Sequence, residues 1–116
     1  MPAGTADLTF ERGITFSASI TLMNPNTTPF DLTGYTAKAQ GRMPYDDASA
    51  SWEASTDNGF ITITPLTGVV DIVIPAATTA TMGDWTDGVW DIVLTGASQV
   101  LRPLAGRFRV TGVVTQ

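Results

Sequence analysis

Between Ile14 and Leu22, apolar and polar side chains alternate without a slip: Ile14, Phe16, Ala18, Ile20 and Leu22 against Thr15, Ser17, Ser19 and Thr21. A period of two puts all the apolar groups on one face of an extended chain, which a helix cannot do. The stretch predicts a strand with one buried face, and Asn24-Pro25-Asn26 ends it as a turn. A half-buried strand needs a second layer to cover it, so this feature alone commits the chain to a sheet packed on something else.

The same pattern recurs. Leu8 and Phe10 alternate with Asp7, Thr9 and Glu11. Phe30 to Tyr35 predicts an irregular corner, with Gly34 supplying a backbone angle that other residues resist. Ala37, Ala39 and Met43 alternate with Lys38, Gln40 and Arg42; small inward residues imply a strand crossed closely by another layer. Pro44 to Ala50 reads as a loop, and Ser51 to Ala54 as a short strand carrying Trp52. Asp57-Asn58-Gly59 signals a tight turn before Phe60 to Thr64, and Pro65 to Gly68 turns into Val69 to Ile74. Pro75 to Met82 is the sole helix candidate, at most about two turns, with Pro at its start and Gly83 at its end. Asp84 to Gly88 predicts a turn, then Trp90, Ile92 and Leu94 face inward. Val100 to Leu104 is a strand interrupted by Pro103, which belongs at a sheet edge or a bulge. Phe108 and Val110 alternate with Arg107 and Arg109, and Val113-Val114 extends the chain. About eight or nine short strands at this spacing predict an all-β, immunoglobulin-like antiparallel sandwich with at most one short helix, near residues 76–82. No crossover helices are present to build a parallel sheet. The 116 residues suit one domain, 1–116.

Composition narrows function by what it withholds. Without His or Cys, the usual serine, cysteine and zinc-hydrolase sites, and disulfides, have no raw material. A net charge of −5 argues against a nucleic-acid partner. No run of about 18 apolar residues predicts a membrane span. The opening Met1-Pro2-Ala3-Gly4-Thr5 lacks the basic start and apolar stretch of a signal peptide. No glycine-rich phosphate loop is present. Charged residues make up 15% and leave a surface rich in Thr, Ala and Gly, in keeping with β-proteins that live inside assemblies.

Some residues retain chemical interest. A Ser–Lys pair would need a serine beside Lys38, and nothing in the sequence positions one. Two carboxylates held about 5 Å or about 6.5–9.5 Å apart in a cleft hydrolyse glycosides. The candidates are Asp46, Asp47, Glu53, Asp84 and Asp87, although loop and turn chemistry accounts for the aspartates. A calcium site from Asp84 and Asp87 would lack the EF-hand spacing. Of three tryptophans, Trp90 alternates with core positions, whereas Trp85 in a turn is the candidate for an exposed interface anchor or a sugar platform. Arg102, Arg107 and Arg109 cluster near the end of an acidic chain, with Arg107 and Arg109 on one strand face; they suit either solvent or an acidic patch on a neighbouring subunit. The expected site residues are therefore interface residues, Trp85, Arg102, Arg107 and Arg109, with no catalytic, cofactor or metal role.

The order of the pieces resembles small virion proteins of tailed phages and prophages. Gly4-Thr5-Ala6-Asp7-Leu8 leads to Gly13-Ile14-Thr15-Phe16, then to the corner Asp31-Leu32-Thr33-Gly34-Tyr35-Thr36-Ala37. Asn58-Gly59-Phe60-Ile61-Thr62-Ile63 and Gly68-Val69-Val70-Asp71-Ile72-Val73-Ile74-Pro75-Ala76 follow. Gly88-Val89-Trp90-Asp91-Ile92-Val93-Leu94 and Gly106-Arg107-Phe108-Arg109-Val110 close the series. The resemblance spans almost the whole chain and implies an immunoglobulin-like sandwich similar to the N-terminal domain of phage baseplate upper proteins. Its implied role is structural and non-enzymatic. The expected setting is the virion, in several symmetric copies beside other phage structural proteins at the tail tip, baseplate or fibre attachment. The chain ends soon after the sandwich, with no shaft or receptor-binding head, which tells against direct host recognition. A capsid decoration protein and a carbohydrate-binding module are the alternative expectations.

Overall fold

Alternation decides which way each side chain points, and burial decides what it packs against. The computed structural model describes residues 4–42, 52–81 and 86–112. Among these residues nine strands form two sheets: β1 (Gly4–Thr5), β2 (Leu8–Glu11), β3 (Phe16–Thr21), β4 (Thr36–Arg42), β5 (Trp52–Ser55), β6 (Ile61–Thr64), β7 (Val69–Ile74), β8 (Thr86–Thr95) and β9 (Val100–Thr111). The larger sheet runs β1-β9-β8-β4-β5, with β2 also paired to β9; the smaller runs β3-β7-β6. This is the two-sheet, Greek-key order of an immunoglobulin-like sandwich. The expected loop from Pro44 to Ala50, Ser51, Met82 to Trp85 and Val113 to Gln116 lie outside the described residues.

The core is the sum of the inward positions. Val70, Ile72 and Ile74 of β7 are almost fully buried and face Ala37 and Ala39 of β4, Ile92 and Leu94 of β8, and Phe108 and Val110 of β9. Burying each of the larger side chains contributes about 1.5–3 kcal/mol. Ala37 and Ala39 lie on a central strand, where small side chains let the opposite layer approach. Gly41 continues their row, and a Cβ there would stand 2.1 Å from Trp52 Nε1. The Trp52 ring therefore lies directly over Gly41 and joins an aromatic cluster with Phe10 (centroids 5.1 Å apart) and Phe108 (5.9 Å).

Several boundaries differ from the sequence reading, each for a physical reason. The alternation from Ile14 is a strand only from Phe16, and Ile14 is 44% exposed. The buried Thr79 holds this entry: its Oγ1 accepts from Gly13 N–H (3.0 Å) and donates to Ile14 C=O (2.9 Å) or Ala76 C=O (3.1 Å). The helix is one turn, α1 (Ala76–Thr79), and Pro75 is its N-cap rather than its first residue. Asp57-Asn58-Gly59 is the expected turn, and Asn58 builds it by accepting from Ser55 N–H (2.9 Å) and Phe60 N–H (3.0 Å). Yet β5 and β6, on either side, belong to different sheets, so the turn is an arch between layers. The expected turn from Asp84 to Gly88 is already strand from Thr86. At the corner, Gly34 has φ +83° as expected. Nearby, the Thr33 hydroxyl and then the Thr33 N–H hold the exposed Asp31 carboxyl below its ordinary value.

Parallel pairing is present despite the lack of crossover helices. β1 and β2 both run parallel to β9, with Leu8 beside Phe108 and Phe10 beside Val110. A parallel pair needs only a long connection, and here nearly the whole domain provides it.

Candidate interaction surface

β9 is where the site residues meet. Its ladder with β8 slips between Ile92 and Leu94: Ile92 pairs with Leu104 and Leu94 with Leu101, so Arg102 and Pro103 together oppose Val93. Proline has no N–H to give and suits such a bulge. On this stretch of β9 the far side also lacks a partner, because β1 begins pairing only at Leu104.

The bulge has a chemical consequence. By parity alone, Arg102 would point away from Arg107 and Arg109. The extra residue restores it to their side, the outer face of the larger sheet, where it meets Asp91 at 3.9 Å. Arg109 pairs with Asp87 at 3.0 Å. Outer residues thus form columns of alternating sign. Glu11 lies on β2, Arg102, Arg107 and Arg109 on β9, and Asp87 and Asp91 on β8. Lys38 and Arg42 follow on β4, then Glu53 on β5. Five of the chain's six cationic residues stand here.

These ion pairs are weak anchors, because their side chains are 41–64% exposed. Such pairs contribute about 0–1 kcal/mol. Their effect is to neutralise Arg102 and Arg109 within the sheet. Arg107, opposite the exposed Val89, has no ion-pair partner among the described residues. Of the expected arginine cluster, Arg107 is the member left for an outside carboxylate. Trp85, the expected aromatic anchor, lies outside the described residues, as do Asp46, Asp47 and Asp84.

The other candidates resolve individually. Trp52 and Trp90 are 5% and 4% exposed, so neither offers a stacking face for a sugar. Asp87 is a strand residue bound to Arg109, not a turn cap. Glu53 on β5 accepts from Gln40 Nε2. The β4–β5 register does place a serine directly opposite Lys38, namely Ser55, which sequence reasoning missed because strand pairing is not a local property. Ser55 is buried with its Oγ accepting from Asn58 N–H (3.0 Å), whereas Lys38 is exposed, so the two are not built as a proton-transfer pair. Among the described residues, no three His, Cys, Asp or Glu side chains are grouped to hold a metal ion, and no helix is long and apolar enough to cross a membrane.

Two depressions lie between these columns. One is lined by Lys38, Gln40, Asp57 and Asp91, another by Arg42, Val89, Arg102 and Gly106. What this arrangement can do is present a mixed-charge surface with apolar Val89 and Val100 to another macromolecule. Comparison with protein-family models and with curated proteins finds no match to the chain.

Proposed function

We propose that this protein is a structural, non-enzymatic subunit of a tailed-phage particle, packed in several copies where the tail tip or baseplate carries its attachments. One observation carries the reading. On the outer face of the six-stranded sheet, Arg107 has no ion-pair partner among the described residues and stands beside exposed Val89, between arginines that are paired within the sheet. A sheet face with an exposed guanidinium and an apolar neighbour suits recognition of a protein surface, where Arg is enriched. The immunoglobulin-like strand order is the scaffold that the sequence resemblance implies, and the resemblance supplies the particle.

The test is fractionation. Sedimented, density-banded particles from an induced host are expected to contain the chain at a fixed ratio to the major tail protein, and Arg107→Glu to lower that ratio. Recovery only in the unsedimented lysate would reject the reading. Gold-labelling of intact particles places the copies; label confined to the head would replace tail packing with capsid decoration.

A further inference from the structure

Sheet edges are where a sandwich recruits other strands, and natural proteins protect them with short strands, charges, prolines or bulges. Among the described residues, three of the four edges here are protected. β5 has four residues and carries Glu53. β6 has four residues and runs straight into Pro65. The β1–β2 edge is interrupted at Ala6-Asp7 and carries Glu11. The fourth edge, β3, is six residues long with no charge, no proline and an unbroken register against β7. It lies within Gly13 to Phe30, where no residue is charged.

The backbone of β3 is half used. Leu22 N–H donates to Gly68 C=O (2.8 Å), on the β7 side. Since alternate residues of an antiparallel strand bond to opposite sides, Phe16, Ala18 and Ile20 bond β7, and the N–H and C=O of Ser17, Ser19 and Thr21 point to the open edge. The inward side chains tell the same story. Phe16, Ala18 and Ile20 remain half-buried, although Val70, Ile72 and Ile74 opposite them on β7 are 0–1% exposed. The core is open on the β3 side.

We infer that β3 is a self-pairing edge: a second copy of this chain adds its own β3 antiparallel, joining two three-stranded sheets into one of six. The occupant is fixed by complementarity of the strip to itself. A two-fold axis through Ser19 sets Ser19 against Ser19 and Ser17 against Thr21, so every outward backbone group finds a partner, about six hydrogen bonds in all. On the core side the same register sets small Ala18 against Ile20, and Phe16 against Leu22. The edge is neutral, so a copy meets no like charge there. The nearest fixed charges on this sheet, the two Asp71 carboxylates, would lie three strand spacings apart, roughly 14 Å, beyond the screening length of about 8–10 Å. This inference rests on β3 and not on the particle reading, and the isolated chain tests it separately from fractionation.

The experiment is sedimentation of the full chain with residue-resolved hydrogen exchange. The expected result is twice the mass of one chain, with exchange at Ser17, Ser19 and Thr21 slowed about tenfold or more as concentration rises. Ser19→Pro removes an N–H that β7 does not use, together with the exposed hydrogen bond from the Ser19 hydroxyl to Asp71, so it should halve the mass and leave the strand signal in circular dichroism unchanged. A wild-type chain that stays monomeric, protection without a change in mass, or a dimer that survives Ser19→Pro would each overturn the inference. Should Ser19→Pro fail to fold, mass and exchange of the wild type decide alone.

Discussion

Trp52 and Trp90 are both buried on the same face of the larger sheet, with ring centroids 6.4 Å apart, yet they differ in one atom's fate. Trp90 Nε1 donates to Ala6 C=O at 2.8 Å and so ties the link between β1 and β2 to the sheet. Among the described residues, Trp52 Nε1 is buried without a hydrogen-bond partner. A buried donor left unpaired costs about 1–3 kcal/mol, whereas a satisfied one is lost at a penalty. Trp90→Phe is therefore expected to destabilise the fold more than Trp52→Phe, by about 1–2 kcal/mol in urea unfolding; equal losses would refute the assignment. Thr79 is a second residue of this kind. It is fully buried, and its hydroxyl serves Gly13 N–H and Ile14 C=O across a long sequence separation. Thr79→Val keeps the shape and strands those groups, at an expected cost of about 1–3 kcal/mol. In the sequence Thr79 is indistinguishable from Thr78 and Thr81, because nothing local marks which threonine turns inward.

Strand β9 shows what a single inserted residue does to an element. Alternation is legible on either side of Pro103, and so is the prospect of a bulge, but the bulge reverses parity between Arg102 and Arg107. Periodicity read straight through therefore misplaces Arg102. Close approach on the same strand is equally hidden. A Cβ on Gly106 would stand 1.9 Å from Ala6 C=O, so only glycine lets the β1–β2 link lie against β9. Gly106→Ala is expected to push that link away, break the Trp90 to Ala6 hydrogen bond and cost about 1–3 kcal/mol. Trp90 fluorescence shifting toward the solvent-exposed range in the folded protein would check it. Fluorescence unchanged at full stability would rule out the close contact.

For the molecule as a whole, the decisive event is that the first strands close on the last. Phe10 pairs beside Val110 and packs within 4.5 Å of the Phe16 centroid and 6.1 Å of Phe108, so one side chain joins both sheets and both ends of the chain. Phe10→Ala is expected to cost about 3–5 kcal/mol and to lower the single unfolding transition seen by fluorescence and circular dichroism together. Separation of the two signals would mean that β2 opens independently. Because such contacts join distant parts of the chain, refolding belongs to the slow, millisecond-to-second regime of β-sandwiches.

What the sequence determined by itself is everything a neighbouring residue can enforce. A period of two orients side chains, turn residues bend the chain where Asn58 and Gly34 stand, and proline marks where a ladder slips. Which strands become neighbours was decided only in the folded molecule. β5 and β6 part at a tight turn to join different sheets, β2 lies parallel to β9, Ser55 comes to face Lys38, and Arg102 rejoins Arg107 and Arg109. Orientation is a property of adjacent backbone angles, whereas strand neighbours are chosen by shared burial of side chains far apart along the chain, and no local pattern carries that information.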